Sequence, residues 1–137
     1  MIYPIQYVTA AAVFVCLDVA WLTIMVGLIY RPTLGDILLD KPNVAAASVF
    51  YLLYPAGIVV FALAPAIASG RWSTALVSGA LFGFFAYATY DLSNQATLRN
   101  WSTMLTVVDI CWGTSVTAVS ATLAYWATNV LAKTFDL

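Results

Sequence analysis

The chain has 137 residues, of which 64% are hydrophobic and 8% are charged, and its net charge is −1. A soluble globular domain carries roughly a quarter charged residues, so this composition excludes an ordinary water-soluble fold and indicates lipid as the main solvent. Histidine is absent, which excludes His-ligated haem, His-containing zinc sites and Ser-His-Asp catalysis, and the lack of a basic excess excludes nucleic acid as a partner.

Apolar stretches account for most of the chain. A helix needs about 20 mostly apolar residues to cross the hydrocarbon core of a bilayer. Four stretches meet this length, at about residues 5–30, 44–68, 73–92 and 103–130. The sequence therefore predicts an all-α integral membrane bundle that forms a single domain, with both termini on the same side. The first stretch lacks a basic n-region, so we expect a permanent span rather than a signal peptide.

Polar segments and prolines separate or interrupt these spans. Arg31, Pro32 and Gly35 are expected to end the first span. Pro55 and Pro65 lie within the second span and predict kinks there. Lysine and arginine are divided almost equally between the two sides, so the orientation stays open, with a slight preference for cytoplasmic termini.

Three aspartates lie within or at the edge of the spans: Asp18, Asp91 and Asp109. An aspartate at the centre of a span costs about 2.5 to 3.5 kcal/mol on insertion scales, and such residues usually face a bundle interior and mark function. Asp91 lies in the last turn of the third span and Asp109 about two turns into the fourth, so both lie in one half of the membrane. A purely structural role, in which Asp18 and Asp109 fix helix register, has nearly equal support.

Aromatic residues accompany these acids in short repeated patterns. The first and fourth spans carry Asp-x-x-Trp, and the second and third carry Tyr-x-x-Tyr. A spacing of three puts each pair on one helix face, and the indole and phenol groups can donate to carboxylates. These patterns and the neighbouring polar residues give a candidate ligand-binding set: Asp18, Trp21, Tyr51, Tyr54, Tyr87, Tyr90, Asp91, Asn94, Arg99, Asp109 and Trp112.

Other interpretations of these residues are less specific. Tyrosine and tryptophan stripes more often serve packing, and the Gly79–Gly83 spacing is typical of closely packed helices. The sequence predicts no cofactor and no metal site, and it assigns no catalytic residue.

The same blocks carry a family resemblance over nearly the whole chain. They are Asp18 with Trp21, residues 50–54, residues 87–92 with Asn94, and residues 96–98 and 109–113. The chain resembles a bacterial family of four-helix membrane proteins catalogued as a domain of unknown function (family 2177). Gln95 and Asn100 depart from the family pattern and make the third connection more polar. The resemblance implies a small protein of the bacterial inner (cytoplasmic) membrane and no established activity.

Three functions remain open. The first is a site that binds, and in an enzyme would modify, a lipid or small lipophilic molecule, with an aspartate as acid or base and Arg99 orienting an anionic group. The second is an accessory or assembly subunit that contacts a second copy or a membrane protein partner. The third is proton or ion transport, which ranks lower because the opposite halves of the third and fourth spans look apolar.

Overall fold

The computed structural model describes residues 2–136, and it is 88% helical, without a strand in the described part. Four helices are long and apolar enough to span a membrane: Tyr3–Ile37, Val44–Ser69, Trp72–Thr97 and Thr103–Thr134. They are called the first to fourth helix below. The predicted all-α, four-span fold is confirmed, and the side of the membrane that holds the termini stays a prediction.

The first helix changes its winding near its end. It consists of α-helix Tyr3–Met25, π-helix Val26–Tyr30, α-helix Arg31–Leu34 and 3₁₀-helix Gly35–Ile37. Helical structure thus continues past Tyr30, although Arg31 and Pro32 were expected to end it. A proline ring crowds the carbonyl four residues before it, which for Pro32 is that of Leu28. The wider π turn holds this carbonyl, so the proline is accommodated without ending the helix.

The second helix contains a similar irregularity. It consists of α-helix Val44–Ile58, π-helix Val59–Leu63 and α-helix Ala64–Ser69. Pro65 stands two residues after the π segment, as Pro32 does in the first helix. The disturbance predicted for this proline therefore takes the form of a widened turn. At the start of the helix, the Asn43 side chain accepts a hydrogen bond from the Ala46 amide at 3.1 Å and caps the first turn.

The third and fourth helices pack unusually closely. A Cβ atom on Gly83 would lie 2.2 Å from the carbonyl oxygen of Gly113, and one on Gly113 would lie 2.0 Å from the Tyr87 ring. A larger residue at Gly83 would force the two helices apart, and one at Gly113 would displace the Tyr87 ring. The small-residue spacing at Gly79 and Gly83 thus serves close approach of the two backbones.

The four helices form a closed bundle. The first helix packs against the second and fourth, and the third helix also packs against the second and fourth. Phe14, Ile58, Leu63 and Val116 are fully buried between them. Large apolar side chains such as Phe85 point outward, which suits a surface that contacts lipid tails.

Candidate functional site

A cavity of about 520 Å³ lies where all four helices meet. This volume is within the range of roughly 300–1,000 Å³ that is typical of small-molecule sites. Aromatic rings form most of the wall, and two carboxylates supply its charge. The lining consists of Asp18, Trp21, Leu22, Tyr30, Ala47, Phe50, Tyr51, Tyr54, Ala86, Tyr87, Tyr90, Asp109 and Trp112.

Asp18 holds three helices together at the cavity wall. It is buried in the first helix, with 5% of its surface exposed. Its Oδ2 accepts a hydrogen bond from the Tyr51 hydroxyl at 2.6 Å, and its Oδ1 accepts one from the Trp112 indole at 3.1 Å. Tyr51 belongs to the second helix and Trp112 to the fourth. Both carboxylate oxygens therefore have a donor, which offsets the cost of burying this group.

Asp109 has a different set of partners. Its Oδ1 accepts a hydrogen bond from the Tyr30 hydroxyl at 2.5 Å, and the Tyr30 oxygen accepts one from the Trp21 indole at 3.1 Å. The two Asp-x-x-Trp patterns are thus linked crosswise. Trp112 of the fourth helix donates directly to Asp18 of the first. Trp21 of the first helix donates to Tyr30, which in turn donates to Asp109 of the fourth.

The two tryptophans of these patterns also stack on each other. Their ring centroids are 4.2 Å apart, and the ring planes are nearly parallel at 6°. Stacking is possible because the first and fourth helices run antiparallel, so the Trp21 and Trp112 side chains meet from opposite directions. The pair forms a flat apolar surface beside the two carboxylates.

The tyrosines of the second and third helices complete the wall. The Thr117 hydroxyl donates to the Gly113 carbonyl at 2.6 Å, so its single proton is used there. The hydrogen bond of 2.8 Å between Tyr54 and Thr117 is therefore donated by Tyr54. Tyr87 packs edge-on against Tyr54, with ring centroids 6.1 Å apart.

Comparison with known proteins establishes the family. A family profile described as predicted membrane protein, DUF2177, matches residues 3–126, which include every residue of the cavity lining. The chain belongs to the DUF2177 family. No curated protein and no solved structure matches it. Family membership and the four candidate spans together show a multi-pass membrane protein, and a location in the bacterial inner membrane stays a prediction.

Most of the residues that the sequence singles out line the cavity of this DUF2177 chain, and three do not. Asp91 is completely buried between the third and fourth helices, next to Asp109. Asn94 is half-buried one turn further along the third helix, and Arg99 is exposed in the connection that follows. No arginine or lysine of residues 2–136 contributes to the lining. The geometry therefore gives no support to an Arg99 that orients an anionic group in the cavity.

Sequence reasoning missed several lining residues. Ala47 and Phe50 share a helix face with Tyr51 and Tyr54, at i, i+3, i+4 and i+7, so extending that periodicity would have found them. Tyr30 stands at the end of the predicted first span and was not among the candidate residues. Its position depends on the π turn of residues 26–30, which shifts the register of every later side chain and leaves no trace in a regular helical period.

A second polar region lies toward the other end of the bundle. Thr128 of the fourth helix is fully buried, and its hydroxyl lies 3.0 Å from that of Thr9 in the first helix. Ser120 and Gln6 are also buried nearby along these two helices. The expectation that this half of the fourth span is apolar is therefore wrong. Small hydroxyl residues escaped notice because they are only weakly polar and do not interrupt an apolar stretch in a hydropathy profile.

The described residues show little that could hold a metal ion. Within residues 2–136, no group of three or more His, Cys, Asp or Glu side chains is placed for coordination. Cys16 and Cys111 are free thiols on the outer surface of the bundle. The polar groups that line the cavity are carboxyl, phenol and indole groups.

Proposed function

We propose that this protein binds a lipid or a small lipophilic molecule in the cavity between its four helices. The main supporting observation is a space of about 520 Å³ whose lining combines stacked and tilted aromatic rings with two carboxylates. An apolar site with a few convergent polar groups is the common form of a small-molecule site. The apolar body would lie against Phe50 and the tryptophan pair, with its polar end near Asp18 and Asp109.

The polar groups of the cavity favour a particular kind of ligand. The Asp18 and Asp109 carboxylates and the tyrosine hydroxyls line it, and no basic residue of the described chain does. A phosphate or carboxylate head group would meet like charge, which is unfavourable at low dielectric. A head group that donates hydrogen bonds or carries a positive charge fits the carboxylates, and a cation also gains from the aromatic faces.

Native mass spectrometry in mild detergent tests ligand binding directly. Ala47 lines the cavity, whereas Ala45 lies two residues earlier in the same helix and is exposed. Phenylalanine at position 47 would fill the space, and phenylalanine at position 45 would point outward. We expect a discrete adduct on the wild type and on the Ala45→Phe variant, and loss of that adduct in the Ala47→Phe variant.

Other outcomes would contradict the proposal. An adduct of the same mass and occupancy on Ala47→Phe would mean that the molecule binds elsewhere on the surface. A bare protein in all three preparations would favour the alternative of an accessory subunit in a larger membrane complex. Crosslinking in the native membrane would then identify the partner or a second copy of the chain.

Proton or ion transport is a second candidate, supported by the buried hydroxyl groups beyond the cavity. Thr117, Ser120 and Thr128 are fully buried along the fourth helix, at successive spacings of three and eight residues. They continue the polar line from Asp109 toward the other end of the bundle. A Thr128→Val variant in liposomes that contain a pH-sensitive dye tests this role. A proton flux that the variant lowers would support transport, and no flux above that of empty liposomes would reject it.

A further inference from the structure

Asp91 is the most deeply buried acid in the molecule. The whole residue is 0% exposed, and neither carboxyl oxygen has a hydrogen-bond donor within residues 2–136. Both oxygens are also closed to a probe the size of a water molecule. Asp18 forms the contrast, because side-chain donors serve both of its oxygens. A buried ionised carboxylate without a partner is strongly unfavourable, so the charge of Asp91 needs a balancing group.

The packing of the third and fourth helices places Asp109 opposite Asp91. The closest approaches of the two helices match Gly79 with Ala121, Gly83 with Thr117, and Tyr87 with Gly113. Each step of four residues along one helix is matched by a step of four back along the other. The next pair in this series is Asp91 with Asp109, so the two carboxyl groups face each other across the contact between the helices.

Only a small group can neutralise the negative charge of two carboxyl groups in this position. Two ionised carboxylates are acceptors only, so they form a hydrogen bond with each other only when one of them carries a proton. A hydrated metal ion does not fit, because the Asp91 oxygens have no room for even one water molecule. A proton needs no such room.

We propose that Asp91 and Asp109 share one proton and that Asp109 presents it to the cavity. Asp91 lies behind the wall as the second carboxyl group of the pair, while Asp109 is part of the lining. The other titratable groups near the pair are phenols: Tyr30 of the first helix, which donates to Asp109, and Tyr87 and Tyr90 of the third. The inference concerns the protein alone and does not rest on the identity of a ligand.

The pair could act as an acid toward a bound molecule. The O–H bond of the pair would break, and an N–H or O–H bond would form on a basic atom of the molecule in the cavity. Both carboxylates would then be ionised beside a newly cationic group, whose positive charge balances one of them. The reverse transfer restores the shared proton, so no other reactant is needed.

Infrared spectroscopy of the protein in lipid bilayers at neutral pH tests the shared proton. A protonated carboxyl group gives a C=O stretching band that an ionised carboxylate lacks, and the band moves to lower frequency in D₂O. We expect this band in the wild type and its loss in both Asp91→Asn and Asp109→Asn. Asp18→Asn is the matched control within the membrane and Asp36→Asn the control at the exposed end of the first helix, and both should keep the band.

Several results would overturn the proposal. These are absence of the band from the wild type at neutral pH, persistence of the band in both pair variants, or its loss only in Asp18→Asn. The wild-type spectrum decides the first point even if a variant fails to fold. Failure here leaves the ligand proposal intact, because the mass-spectrometric test depends on Ala47 and needs no proton at the pair.

Discussion

The surroundings of Asp18 and Asp109 differ, although the two residues begin the same Asp-x-x-Trp pattern. Asp18 receives one hydrogen bond from the second helix and one from the fourth, so both of its oxygens are occupied. Asp109 receives one hydrogen bond from Tyr30 and faces a second acid across the close contact of the third and fourth helices. The same Asp-x-x-Trp pattern therefore produces a fixed acceptor in one helix and an acid pair in the other.

The difference teaches that neighbouring helices, rather than the local pattern, decide what a membrane aspartate does. Donors that converge on Asp18 stabilise its charge and join helices. The glycines of the third and fourth helices bring Asp91 and Asp109 together instead, and they do so without supplying a donor. This distinction can be tested with substitutions that change the environment of Asp18 or that of Asp91 and Asp109, but not both.

The largest effect is expected from closing the space at Gly83. An alanine Cβ there would lie 2.2 Å from a backbone oxygen and 2.6 Å from the Thr117 hydroxyl oxygen, so the helices must move apart. We expect Gly83→Ala to lower the free energy of unfolding by about 3 kcal/mol, the upper part of the usual cost of overpacking. It should also separate Asp91 from Asp109 and remove the infrared band of the pair.

Denaturation of the protein in detergent, followed by circular dichroism, measures this change. Gly27→Ala is the control, because a Cβ there meets nothing within 4 Å. Wild-type stability in Gly83→Ala would show that the two helices do not approach as closely in the bilayer or micelle as described, and the facing of the two acids would lose its basis.

A smaller but more specific effect is expected from comparing the same change, aspartate to asparagine, at position 18 and at position 91. Asp18→Asn leaves a single acceptor oxygen for the two donors Tyr51 and Trp112, so we expect a loss of about 1–2 kcal/mol. Asp91→Asn replaces a protonated acid by an amide of the same shape that donates to Asp109. Its unfolding free energy should therefore fall by less than about 1 kcal/mol, below the loss expected for Asp18→Asn, because the amide keeps one hydrogen bond to Asp109.

The same unfolding assay compares the two variants, with Asp36→Asn at the exposed end of the first helix as the control. Equal losses at positions 18 and 91 would mean that both acids are ionised and stabilised in the same way. The contrast between the two surroundings would then disappear, whatever their geometry.

Removing single hydroxyl groups should give a third, weaker contrast. Tyr51→Phe removes one donor to Asp18, and we expect a loss of about 1 kcal/mol. Tyr30→Phe removes the donor to Asp109 and also the acceptor of the Trp21 indole, so its loss should be somewhat larger. Combining Tyr30→Phe with Trp21→Phe in a double-mutant cycle measures the coupling. Additive effects would show that Tyr30 does not connect the indole to the acid.

The fold followed from the sequence because hydropathy alone decides whether a segment can span a membrane. Asp18, Asp109 and their tryptophans were also within reach, because polar residues in an apolar span face the interior. Helical periodicity gives the face of a residue, however, and not its neighbour on another helix. The glycine spacing indicated close packing but not the register that sets Asp91 against Asp109. Tyr30 was out of reach because the π turn before Pro32 is a response to local crowding.

The smallest expected effect concerns the stacked tryptophans, which join the two surroundings. Trp21→Phe keeps an aromatic ring but removes the indole donor to Tyr30, whereas Trp21→Leu removes both the ring and the donor. The difference in the free energy of unfolding between these two variants isolates the stack, and we expect it to be about 0.5–1 kcal/mol, as for aromatic pairs in general.

Because each indole donates toward the aspartate of the other helix, loss of the stack should also allow Trp112 to rotate away from Asp18. The test is the fluorescence of the Trp21→Leu variant beside that of Trp72→Leu, a residue exposed at the start of the third helix. A spectral change that is equal in both variants would mean that the Trp21–Trp112 stack does not hold the two carboxylates in their different positions.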